Sequence, residues 1–229
     1  MGPVEWLTFD CYGTLIDWER GVADALAPFL GPDAASRRRT LAVRYIEIEA
    51  QVEHEAYRRY RDVLAEAGAR LMRELGHSLP PGRERLLADS LPDWRPFPEV
   101  PAVLHRLRDA GYRIAILSNV DRDLIAASIP RLRVTPDLIV TAEDSRSYKP
   151  DPGHWTTFQL RSGAAPQRTI HVGASLYHDM VPAGALGYRT VYVNRHGAPV
   201  GGAAPTRVLA DLAALPDTVD EMAGAHRAP

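Results

Sequence analysis

The sequence holds a single cysteine, Cys11, so no disulfide can form within the chain. Lysine is equally scarce: Lys149 stands alone among 27 basic residues, and the other 26 are arginine. There is no surplus of positive charge. The formal net charge of -2 lacks the basic excess that drives binding to a phosphate backbone, so nucleic acid is not an expected partner. The longest apolar runs, such as Ile114-Ala115-Ile116-Leu117, fall far short of the roughly 18 residues that span a bilayer, and no membrane span is expected. The start Met1-Gly2-Pro3-Val4-Glu5 has neither the basic nor the long apolar region of a signal peptide, which makes the cytoplasm the expected compartment. No tail of like charge and no internal repeat appears.

What is present is ordinary globular material. Hydrophobic residues make up 45% and charged residues 24% of 229, which excludes disorder, collagen-like repeats and a disulfide scaffold and is enough to bury a sizeable core. In a chain that prefers arginine, one lysine points to a place where a compact ammonium fits between carboxylates and a planar guanidinium does not. The alternative is chance of composition.

Mostly apolar runs over Val4 to Phe9, Tyr112 to Leu117, Asp137 to Thr141, Thr169 to Val172 and Thr190 to Val193 suit parallel strands buried on both faces. Helical stretches follow them. The fold class is therefore α/β with a doubly wound parallel sheet. Between Asp17 and Trp94 the strand-like runs vanish, and Leu41, Tyr45, Ile48 and Val52, then Val63, Leu71 and Leu75, recur at helical spacing. This predicts an all-helical insertion over 17–96, closed by Pro92, Pro96 and Pro98, with a core domain made of 1–16 and 97–229. Such a block, over the carboxyl ends of the strands, is placed to act as a lid. The tail from Ala198, with Gly201-Gly202-Ala203-Ala204-Pro205, reads as a loop before a final helix.

Polar residues gather just after the strands: Asp10, then Ser118 and Asn119, then Glu143 and Asp144, then Gly173, Ser175 and Asp179. In a parallel sheet these positions converge. Asp10, followed by Gly13-Thr14, can be a nucleophile, a metal ligand or a turn residue bonded to its own loop. Ser118-Asn119, just before the helix that Asp121 opens, offers donors to an anion or simply caps that helix. Lys149 has a surface role as its plain alternative, and Asp179 a helix-capping one.

Taken together, Phe9-Asp10-Cys11-Tyr12-Gly13-Thr14-Leu15-Ile16-Asp17, Leu117-Ser118-Asn119, Tyr148-Lys149-Pro150-Asp151 and Gly173-Ala174-Ser175-Leu176-Tyr177-His178-Asp179 resemble the four ordered motifs of the haloacid dehalogenase superfamily, in particular its type II 2-haloacid dehalogenase branch. The resemblance covers essentially the whole chain, cap included. It implies a Rossmann-like core with Asp10 as the nucleophile and Lys149 holding and neutralising its carboxylate. It also implies Ser118 and Asn119 on the substrate carboxylate, Cys11 and Tyr12 in the substrate site, and a water positioned by Thr14, Ser175 or Asp179 to hydrolyse the resulting ester. Phosphatases of the superfamily carry an acid two positions after the nucleophile and a Gly-Asp in the fourth motif that helps to hold magnesium. Here those places are Tyr12, whose ordinary pKa is about 10, and Ala174. Phosphoryl transfer leans on both acid and metal, whereas halide displacement needs neither. The resemblance thus implies a hydrolase of short L-2-haloacids without metal or other cofactor, with a small carboxylic acid as partner and a homodimer as a compatible assembly.

Two departures bear on the substrate. The cap arginine that cradles the halide in dehalogenases falls at Leu41 in a gapless count and at Arg44 when Ile48-Glu49 is paired instead; Arg44 is the expected residue. The fourth motif has one residue more before its aspartate than the best-known dehalogenases. In that, and in Ile16-Asp17-Trp18-Glu19, it is similar to a sub-branch that includes azetidine-2-carboxylate hydrolases, where the leaving group is a strained ring nitrogen. Ring opening of that acid, a magnesium-dependent phosphatase and a catalytically degenerate binding protein are the rival readings.

Overall fold

The computed structural model describes residues 3–31, 36–55 and 57–224. Six parallel strands form one sheet: β1 (Trp6–Phe9), β2 (Arg113–Ser118), β3 (Leu138–Thr141), β4 (Thr169–Gly173), β5 (Arg189–Val193) and β6 (Arg207–Leu209), in the order β3-β2-β1-β4-β5-β6. That is the order of a doubly wound sheet whose winding reverses beside β1. Five of the strands lie where the apolar runs predict them. β6 does not: the tail predicted as loop contributes a three-residue edge strand before the final helix, with Arg207 and Val208 exposed. An edge strand that short buries too little to leave an apolar run in the sequence.

Strand β2 shows why the runs are continuous. Ile114 and Ile116 point to one face, packing with Leu7, Phe9 and the apolar side of α5 (Val100–Asp109), while Ala115 and Leu117 point to the other, against Trp155 and Phe158 of α8 (Gly153–Ser162). Successive side chains go opposite ways along a strand, and helices cover both faces, so the run from Ile114 to Leu117 is apolar at every position. On the first face α6 (Arg122–Leu132) and α10 (Leu215–Ala223) complete the layer; α9 (Val181–Ala185) joins α8 on the second.

Between β1 and α5 the described chain is helical: α1 (Trp18–Leu30), α2 (Arg38–Glu55), α3 (Tyr60–Glu74), the short α4 (Leu86–Ser90) and a 3-10 turn at Leu91–Asp93. It leaves and rejoins the core at one point, where Asp17 N donates to Arg95 O at 2.9 Å and Ile16 bridges Pro96. Tyr45, Ile48 and Val52 are buried against Val63, Leu64, Ala67 and Leu71 of α3, and Leu41 is buried as well, as the helical spacing requires. No helix among the described residues is long and apolar enough to cross a membrane.

Candidate active site

Register builds the site. Phe9 of β1 lies beside Ile116 and Val172, and Asp10 N donates to Val172 O at 2.9 Å, so the first residue past the strand is fixed between β2 and β4. The chain then turns back through Gly13, whose φ of +100° and contact distance of 3.2 Å from a would-be Cβ to the Trp18 ring nitrogen exclude a side chain. Leu15 N and Ile16 N both close onto Cys11 O, and Thr14 Oγ1 donates to Asp10 Oδ2 at 2.8 Å.

Lys149 is 2% exposed, and its Nζ donates to Asp10 Oδ1 at 2.9 Å and to Asp179 Oδ1 at 2.7 Å. Burial works against the ammonium, yet the two carboxylates outweigh it and hold the charge well above the usual lysine range. Burial likewise opposes ionisation of Asp179, and Lys149 with His171 more than offsets it, leaving that carboxyl well below its ordinary value. For Asp10 burial prevails and, helped by the Asp179 charge, raises the carboxyl against the pull of Lys149 and Thr14. Asn119 reads the backbone of the lysine: its Oδ1 accepts from Lys149 N at 2.7 Å and its Nδ2 donates to Lys149 O at 3.2 Å. Its amide thus holds the Lys149 backbone while Asn119 still lines the cavity beside Ser118, which is buried and has its carbonyl 3.1 Å from His154 Nε2.

The fourth motif forms a π-helical turn over Leu176–Met180. Ser175 Oγ accepts from His178 N at 3.0 Å and Ser175 N donates to Asp179 Oδ2 at 3.3 Å. The extra residue ahead of Asp179 is taken up by that wider turn, in which Met180 N reaches Ser175 O. Asp179 then lies over Gly173, where an added Cβ would meet its Cγ at 2.6 Å.

Asp10, Tyr12, Ser118, Asn119, Lys149, Ser175 and Asp179 line one cavity of about 910 Å³, and Thr14 is buried behind it, bonded to Asp10. Two other expected residues lie apart from it. Cys11 is fully buried in the apolar core, where burial pushes its thiol well up. Arg44 is absent from the cavity: it is exposed and paired with Glu74 through Nε at 2.6 Å and with Glu47 through Nη1 at 2.7 Å. Leu41 is buried within the helical layer. The α2 residues that line the cavity include Arg38 and Arg39 at its start and Tyr45, Glu47, Glu49 and Glu53 beyond them.

Three side chains around the site make contacts that sequence reasoning does not show. His171, in the middle of β4, sets Nδ1 2.9 Å from Thr8 Oγ1 and Nε2 3.4 Å from Asp179 Oδ1; the signal was a histidine in an apolar strand. Glu49 was an acid on an otherwise apolar helix stripe. Asp121, 1% exposed, accepts from Tyr60 N and Arg61 N at 2.9 and 3.1 Å, so a core carboxylate caps α3. Tyr12 offers no acid: its OH is bonded to Ser128 Oγ at 3.0 Å, and burial raises it well above the ordinary tyrosine value.

The donor set does not fit magnesium. Every oxygen of Asp10 and Asp179 already accepts from a protein donor, one of each from Lys149 Nζ and the others from Thr14 Oγ1 and Ser175 N, and Ala174 supplies none. Among the described residues no three His, Cys, Asp or Glu side chains stand together as metal ligands.

Comparison with known proteins agrees with this geometry. Residues 4–187 match the family model described as haloacid dehalogenase-like hydrolase. The chain is 27% identical over 202 residues to haloacetate dehalogenase H-2 of Moraxella sp. (strain B), covering 86% of this chain and 88% of that one. It is 28% identical over 199 residues to (S)-2-haloacid dehalogenase 4A of Burkholderia cepacia, covering 83% of each. A solved dehalogenase structure, 25% identical, superposes with a TM-score of 0.80 over 94% of this chain and 96% of that one. With the family model spanning Asp10, the helical insertion, Lys149 and Asp179, the chain belongs to the haloacid dehalogenase-like hydrolases.

Proposed function

We propose that this hydrolase removes halide from short L-2-haloacids by way of an ester on Asp10, without a metal ion. The observation that carries the reading is Lys149 Nζ seated between Asp10 and Asp179: the counter-charge to the nucleophile is an ammonium fixed in the fold. One oxygen of Asp10 attacks C2, forming the C–O bond as the C–halogen bond breaks, and the halide takes the electron pair. Thr14 and Lys149 each hold one oxygen of the carboxylate, fixing Asp10 at the cavity wall for attack. Water next attacks Cγ of the ester; its oxygen stays on Asp10, and the original Asp10 oxygen leaves as the product hydroxyl. Ser118 and the adjoining backbone receive the substrate carboxylate. The names of the relatives, a haloacetate and an (S)-2-haloacid dehalogenase, support the substrate class, and Tyr12 in place of an acid supports a leaving group unlike an alkoxide.

A single turnover with enzyme in excess over L-2-chloropropionate, in water enriched in heavy oxygen and with excess chelator, tests both halves. The product should be unlabelled and the Asp10 peptide heavier by one oxygen exchange. Labelled product with an unlabelled peptide would make Asp10 a general base, and a rate that returns only with added magnesium would replace the reading with a phosphatase-like one.

A further inference from the structure

His171 stands in the middle of β4, a fully buried strand whose other members are Thr169, Ile170, Val172 and Gly173. Its ring lies edge-on to Trp155 of α8, with the centroids 5.4 Å apart. A phenyl ring would suit that niche, whereas two ring nitrogens are costly to bury unless both find partners. Both do. Nδ1 is 2.9 Å from Thr8 Oγ1, on the residue of β1 that pairs with His171 in register, and Nε2 is 3.4 Å from Asp179 Oδ1. The Asp179 carboxyl is held well below its ordinary value and so only accepts. Nε2 therefore carries a hydrogen, and Thr8 fixes the ring that aims it.

The same Asp179 Oδ1 receives Lys149 Nζ at 2.7 Å, and that Nζ reaches Asp10 Oδ1 at 2.9 Å. A chain of contacts thus runs from the interior of the sheet to the nucleophile: Thr8, His171, Asp179, Lys149, Asp10. Resting on the Asp10-ester reading, we propose that His171 is a positioning residue for the second half of the reaction, holding Asp179 so that Lys149 stays on Asp10 once Asp10 is an ester. In the first half Lys149 has two anionic anchors, and a weaker hold on Asp179 is tolerated. The ammonium draws charge from Oδ1, so the attacking atom is Oδ2, engaged only by the Thr14 hydroxyl. Oδ2 bonds to C2, the halide leaves with the electron pair, and Asp10 becomes neutral. Its Coulombic hold on Lys149 is then gone, and Asp179 alone sets where Nζ stands. Water next adds to Cγ and the carbonyl pair moves onto Oδ1, the oxygen within reach of Nζ, which serves as an oxyanion donor. Collapse breaks Cγ–Oδ2; one water proton ends on the product hydroxyl and the other passes to solvent. Displacing Asp179 therefore slows ester hydrolysis more than ester formation.

His171→Phe keeps a ring against Trp155 and removes the donor, while His171→Gln keeps an amide donor close to the place of Nε2. Both are compared with the wild type on L-2-chloropropionate by steady-state kinetics, by intact protein mass after rapid acid quench and by heavy-oxygen uptake into the Asp10 peptide. In His171→Phe, kcat should fall about 10- to 100-fold, the scale of a lost hydrogen bond to a charged group or of a displaced contact. KM should fall with it, so that kcat/KM, which ends at the release of halide, stays within about threefold of wild type. The quenched variant should carry a larger share of Asp10 adduct, heavier by one propionate unit, than the wild type does. His171→Gln should restore kcat to within about threefold, the donor being regained. Equal loss of kcat and kcat/KM without added adduct would reduce His171 to packing, and unaltered kinetics would show that Lys149 keeps its place without it. A His171→Gln variant as slow as His171→Phe would show that the donor is not what matters. Each of these overturns the proposal. An Asp10 peptide that takes up no heavy oxygen in the wild type would instead strike the ester reading. Should His171→Phe not fold, Thr8→Val decides: removing the partner of Nδ1 should lower kcat and KM together to a smaller extent, and normal kinetics there would refute the proposal.

Discussion

Replacing Lys149 by methionine keeps the stem and removes the ammonium, leaving Asp10 and Asp179 buried side by side without a counter-charge. Each lost a contact under 3 Å. Removing one partner of a buried ion pair costs about 3–5 kcal/mol, and for a chain of this size each kcal/mol moves the melting temperature by about 2–4 °C, so Lys149→Met should melt roughly 6–20 °C lower at pH 8. The pH dependence follows from the directions of the shifts. In the wild type the depressed Asp179 contributes stability above the ordinary carboxylate range and loses it only as pH falls through its folded value; the raised Lys149 contributes below the ordinary lysine value and loses it only as pH rises through its own. Both are therefore level from pH 5 to 8. In the variant the two carboxylates repel, their folded values rise, and the deficit must shrink in acid as one of them takes a proton. Thermal melts of both proteins at pH 5 and pH 8 measure this. A deficit equal at the two pH values would mean that lost packing, not unpaired charge, is responsible, and a deficit under about 2 °C, far below the range worked out above, would show that the carboxylates are not coupled through the lysine.

Lys149→Arg keeps the charge but asks a broad fork to occupy a place fitted to one nitrogen, and kcat should drop about 100-fold, the scale of a misplaced contact; near-normal turnover would make the lone lysine an accident of composition. Gly173→Ala would drive a Cβ to 2.6 Å from Cγ of Asp179, so turnover should collapse with a stability loss of about 1–3 kcal/mol, read by kcat alongside a thermal melt; unchanged kinetics would mean that the loop yields without moving the carboxylate.

The core of this fold was legible because strands covered on both faces leave uninterrupted apolar runs, and because the residue after each run lies at the same edge of the sheet. That is why Asp10, Ser118 and Asp179 are gathered by position, with Lys149 added by the motif it resembles, and why β6, too short and exposed to leave a run, is not seen. The cap was harder. Its helices follow from spacing, but α2 bears charges around most of its circumference, and nothing in the order of residues says that Arg44 turns outward to Glu74, a partner thirty positions away on α3. Once that phase is fixed, Glu49 must turn inward. Asn119 reads as a ligand for substrate, and the folded chain adds a second role that sequence does not show, since its amide also bonds the backbone N–H and carbonyl of Lys149 in the loop that follows β3. His171 and Asp121 act through neighbours that only the folded chain supplies.

The wide turn at Leu176–Met180 separates two things that a motif treats as one, the count of residues and the place of a side chain. In an α-helical turn one added residue would rotate everything after it by about 100°, carrying the carboxylate of residue 179 away from the sheet. Here the surplus is absorbed as a local loop of slack, and the chain re-enters α9 with Asp179 still over Gly173. Length variation at this point is therefore geometrically silent, and a spacing that looks irregular on the page is compatible with an unaltered electrostatic seat for the lysine.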